Sequence, residues 1–94
     1  MKHESLRAMI SSLDDAREEG DTFHMGDAWD VTLHAAHRSG GMQITHVTSV
    51  SIHNEHIVVM TSKGSRFVLD VEGVFGFGQE PTKGDRTGRR AGFA

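Results

Sequence analysis

Seven histidines in 94 residues are the side chains best suited to chemistry in this chain. His34 and His37 lie three apart, as do His53 and His56, and the second pair brackets Asn54-Glu55. If Asn54-Glu55 forms a two-residue hairpin loop, His53 and His56 face each other on one side of a sheet, close enough to share a metal ion. His34 and His37 reach that arrangement only if their strand curls after Ala35, because alternation sends residues three apart to opposite faces. An all-histidine set, or one completed by Glu55, suits zinc or a similar ion, although structural zinc sites usually include cysteine and this chain has none. The competing reading is a set of exposed turn and strand histidines. In either case they make the charge sensitive to mild acid, since protonating all seven moves the formal charge from −3 to +4.

The basic residues suggest a different chemistry. Lys83, Arg86, Arg89 and Arg90 are interleaved with Gly84 and Gly88, a composition suited to an arm that follows phosphates. Arg38, Lys63 and Arg66, at two expected hairpin ends, would extend the patch. A solubilising terminus is the competing reading. Trp29, Phe75 and Phe77 would serve as stacking platforms only if exposed; alternation instead aligns Trp29 with Val31 and Leu33, and Phe75 and Phe77 with Phe67, Leu69 and Val71, as core.

Catalysis finds little support. Cysteine and tyrosine are absent, no Gly-x-Ser-x-Gly elbow occurs, and Gly40-Gly41 and Gly76-Phe77-Gly78 lack the lysine and following helix of a phosphate-cradling loop. Asp70 and Glu72 with a nearby histidine would supply an acid-base pair, but two carboxylates on a solvated strand face are the commoner arrangement. The expectation is a non-catalytic protein without a cofactor.

The elements that position these residues follow from periodicity. Leu6, Met9, Ile10 and Leu13 make one stripe of a helix expected over residues 4–19, with Gly20 ending it and the stripe packed on a sheet. Residues 21–27 read as a connector. From Trp29 the pattern alternates as a first strand, and Arg38 to Met42 read as a flexible hairpin loop. Ile44 to Ile52 is strand-like, but its apolar parity slips between Ile44 and Val47, which marks a bend or bulge. Residues 47–53 and 57–61 are β-branched runs, Thr61 to Arg66 is a turn around Gly64, and Arg66 to Val71 alternates cleanly. Gly73 breaks that run before a short closing strand, Val74 to Phe77. The fold class is α+β: an N-terminal helix packed on a strongly bent antiparallel β-meander or small barrel of four to five strands. Residues 1–78 form one domain, with the meander over 28–78, and residues 79–94 form a basic, glycine-rich tail.

A helix followed by short-turned, bent strands and a last strand after a glycine break resembles, in layout, the small β-barrels of the Sm-like and SH3-like kind. These include the bacterial proteins that bind and inhibit the Rho termination factor. The resemblance implies binding of RNA, DNA, peptides or further copies rather than chemistry.

Composition bounds the partners. Residues 1–30 carry three Lys/Arg against eight Asp/Glu, whereas residues 79–94 carry four against two, so the two ends have opposite sign. The acidic front argues against wholesale phosphate binding and suits a basic protein groove. No apolar run approaches the roughly 20 residues that span a bilayer. Without cysteine or a secretory leader, the expected location is the cytoplasm, with no membrane partner. The function expected is a binding or regulatory module acting through protein contacts at the helix face or a sheet edge, self-association included. Nucleic-acid binding through the tail and hairpin tips is the alternative, and a histidine metal-binding domain the lesser one.

Overall fold

A computed structural model describes residues 2–37 and 40–82. One helix, α1 (His3–Ser11), precedes eight strands: β1 (Ala16–Glu19), β2 (Thr22–Met25), β3 (Trp29–His37), β4 (Gly40–Ile44), β5 (Val47–Ile52), β6 (His56–Thr61), β7 (Arg66–Asp70) and β8 (Val74–Pro81). A single 3-10 turn, Val71–Gly73, separates the last two. The strands form two antiparallel sheets, ordered β1-β2-β5-β6-β7 and β4-β3-β8. The α+β class stands, with the helix packed on bent antiparallel strands; the sheets do not close into a barrel.

One core serves both sheets. Val31, Leu33, Ala35, Ile44 and Val74 face it from the three-stranded sheet, and Phe23, Val47, Val50, Ile52, Ile57 and Val59 from the other. Leu6 and Ile10 of α1 are fully buried against them, with Leu13 packed alongside. Each fully buried Val, Leu, Ile or Phe among them contributes roughly 1.5–3 kcal/mol.

Two expectations about the front of the chain are corrected. The helix ends at Ser11 rather than at residue 19, and residues 22–25 are a strand rather than a connector. The physical reason is local competition. Ser11, Ser12, Asp14 and Asp15 bond their own backbone readily, and Ser12 does so, its hydroxyl donating to the Met9 carbonyl at 2.7 Å. Asp15 then takes φ 64°, which no helix accommodates. A hairpin replaces the lost turns because it buries Phe23, whose exposure is 1%. Gly20-Asp21 forms its two-residue loop, with Gly20 at φ 65°, the left-handed value that a primed turn requires.

The strand count exceeds the expected four to five for a related reason. The run from Gly40 to Ile52 divides at Thr45-His46 into β4, in one sheet, and β5, in the other. The parity slip between Ile44 and Val47 marks that crossing. The closing strand also runs to Pro81, so residues 79–81 belong to β8 and not to the tail. Residues 83–94 lie outside the described residues.

Gln79 ties the helix exit to β8. Its side-chain amide donates to the Asp14 carbonyl at 2.8 Å, and its carbonyl oxygen accepts from the Asp14 N–H at 2.9 Å. This two-bond pairing stands in for a ladder rung. Gln79→Ala is expected to lower stability by about 1–2 kcal/mol, read as a lower urea midpoint with an unchanged slope. A change below a few tenths of a kcal/mol would mean that the pairing contributes nothing.

Candidate functional site

Three of the seven histidines, His3, His53 and His56, come together at the β5–β6 turn. The His53 N–H donates to the His56 carbonyl at 2.9 Å, closing a two-residue loop of Asn54-Glu55. The two imidazoles stack, with centroids 4.8 Å apart and planes 24° from parallel. His3, at the start of α1, donates from Nε2 to the His53 carbonyl at 2.6 Å. The helix is thereby seated against the turn from 50 residues away in sequence.

Two adjoining clefts flank this contact and share His3, Asn54 and Glu55. One, of about 660 Å³, is completed by Lys2, Glu4, Asp70, Val71 and Glu72. The other, of about 670 Å³, is completed by Arg7, Asp21, Ile52, His53 and His56. Five carboxylates, Glu4, Asp21, Glu55, Asp70 and Glu72, stand against Lys2 and Arg7. The Asp70 carboxylate caps the 3-10 turn by accepting from the Glu72 N–H at 2.9 Å.

Arg7 is already engaged. Its guanidinium reaches Glu18 at 2.9 Å and Asp21 at 2.7 Å, and it lies 5.8 Å from the Phe23 ring centroid. It covers the core face of the β1–β2 hairpin and takes up two carboxylates there. The remaining acids are exposed, so the surface is negative in sign and open to water.

Of the other histidines, His24, His34 and His46 lie apart from this turn and from one another. His34 packs its ring 6.2 Å from Phe75, and β3 pairs with β4 without interruption from Leu33 to His37; the His37 side chain lies outside what the structure describes. His24 meets Glu19 at 3.2 Å and His46 meets Asp30 at 3.4 Å, both on exposed surface. Among the described residues, no three metal-ligating side chains converge.

Of the basic residues, Lys63 and Arg66 are exposed beside the β6–β7 turn, where Gly64 takes φ 86°. Lys63 also lines a small cleft with Gln43, His46 and Phe67. Arg38, Lys83, Arg86, Arg89 and Arg90 lie outside the described residues. Phe75 departs from the expected core placement, being 58% exposed. The β3–β8 register shifts at His34/Ala35, leaving Phe75 as the extra residue, out of the alternation that keeps Phe77 against the core.

Sequence reasoning placed His53 and His56 opposite each other across the Asn54-Glu55 turn but missed His3, Arg7 and Asp21 as their neighbours. No local pattern carries that information, because the contact depends on how α1 docks. No protein-family model, characterised protein or solved structure matches the chain. Arg7→Ala is expected to cost about 1 kcal/mol, since both ion pairs are partly exposed and the side chain also packs over Phe23. Denaturation at low and high salt separates the two contributions: the ionic part disappears in high salt, whereas the packing part persists.

Proposed function

We propose that this protein is a non-catalytic binding module that engages a basic protein segment through the acidic, imidazole-bearing face at the β5–β6 turn. The observation that carries this reading is the pair of clefts sharing His3, Asn54 and Glu55. They are wide, lined by carboxylates and assembled from the helix start, a hairpin turn and the 3-10 turn. A rigid frame bearing exposed like charges favours a partner of the opposite charge and sets encounter rate and orientation more than raw affinity. The layout from β3 to β8 supports binding over chemistry as well. It has consecutive strands β4 and β5 in different sheets, a 3-10 turn before the last strand, and that last strand paired with β3, a layout that resembles the Sm-like and SH3-like barrels although the two sheets stay open.

Nucleic-acid binding is the second reading, favoured by Lys63 and Arg66 at one hairpin tip and by the basic composition of residues 79–94. Fluorescence anisotropy with a labelled oligoarginine peptide and a labelled single-stranded RNA separates the two. The oligoarginine is expected to bind, to lose about tenfold or more in affinity with Glu55→Lys/Glu72→Lys, and to be indifferent to removal of residues 83–94. Binding of the RNA instead, lost with those residues and weakening steeply with salt, would reject the acidic face as the site.

A further inference from the structure

Strand β7 is an edge of the five-stranded sheet, paired only with β6 among the described residues. Which of its backbone groups face outward follows from two bonds. The Thr61 N–H donates to the Ser65 carbonyl and the Val71 N–H to the Glu55 carbonyl, so the hydrogen-bonded pairs of the ladder fall at odd-numbered residues. Phe67 and Leu69 therefore point their N–H and C=O groups at β6, while Arg66, Val68 and Asp70 point theirs away.

The side chains of those three residues form a self-complementary row. Arg66 and Asp70 stand at the two ends with opposite charge, and between them Val68 is 53% exposed, one of two large apolar side chains so exposed among the described residues. Arg66 has no ion-pair partner among the described residues. The Asp70 carboxylate uses Oδ1 for the 3-10 turn, leaving Oδ2 available. On the opposite face, Phe67 and Leu69 are only partly buried.

We infer that β7 pairs antiparallel with β7 of a second copy about a two-fold axis at Val68, joining the two five-stranded sheets into one. In this register Arg66 faces Asp70 of the second copy, Val68 faces its own equivalent, and Asp70 faces Arg66. Phe67 meets Leu69 across the seam on the core side. All three outward-pointing residues exchange backbone bonds with their opposites. An axis displaced to Phe67 or Leu69 sets Val68 against a charged residue and leaves one end of the row unpaired.

A self-complementary patch of this kind closes as a dimer and does not propagate. The other edges are less suited: β1 carries Arg17, Glu18 and Glu19 in four residues, β4 opens with two glycines, and β8 ends in Glu80-Pro81. A five-residue strand pair buries less than the roughly 1,200 Å² of a standard interface, so the dimer is weak and depends on concentration. The seam shares Asp70 with the acidic face, but the inference does not rest on any binding there.

Sedimentation of the full chain from micromolar to millimolar concentration tests it. A monomer converting to a species of twice the mass is expected. Val68→Pro removes an N–H that points away from β6, so the fold is retained and the dimer lost. Arg66→Asp and Asp70→Arg are each expected to weaken association about tenfold or more, whereas an equal mixture of the two recovers it, because each charge row then faces its complement. A chain monomeric throughout, a species larger than two, a dimer indifferent to Val68→Pro, or a mixture no better than its components would each overturn the proposal.

Discussion

The turn at Thr45-His46 is the constraint on which the rest of the molecule depends. Ile44 and Val47 are three residues apart, so in an unbroken strand they would face opposite ways, yet both are buried in the one core. His46 resolves this by adopting φ 57°, a left-handed conformation that costs a non-glycine residue roughly 1–2 kcal/mol. The surroundings hold it there: its carbonyl accepts from the Ser62 N–H at 3.0 Å, and its ring contacts Asp30 on β3 at 3.4 Å. One β-branched run thus serves two sheets, and the space between them becomes the core that α1 seals with Leu6 and Ile10.

That arrangement also determines which side chains are left on the surface. Once α1 is docked, its first turn meets the β5–β6 turn, and His3, His53 and Glu55 converge although they are distant in sequence. A second change of sheet, through Val71–Gly73, places Asp70 and Glu72 beside them and leaves β7 as an edge strand among the described residues. The acidic face and the edge are consequences of the same two bends.

Much of the meander was legible because its signals are local. The alternation of Arg66 to Val71, the β-branched run of β6, the Asn54-Glu55 loop and the parity slip before Val47 each describe a few consecutive residues. The stripe of Leu6 and Ile10 was legible too, but not its length: helix periodicity continues through Leu13, whereas two serines and two aspartates end the helix before it. The unfavourable pair Glu18-Glu19 at the supposed helix end, followed by Gly20-Asp21, was the available sign of a hairpin. Phe75 was misplaced because a bulge shifts alternation by one residue without leaving any mark in the pattern. The seat of His3 on the turn could not be read at all, since it depends on the docking of whole elements.

The most direct test of this architecture compares His46→Gly with His46→Val in urea denaturation. A left-handed residue at the sheet crossing predicts that glycine holds near the wild-type stability, with relief of strain offsetting the lost Asp30 contact. Valine, which resists positive φ, should fall at least about 1 kcal/mol below glycine. Valine as stable as glycine would contradict the account, because residue 46 would then be extended and β4 and β5 a single strand in a single sheet.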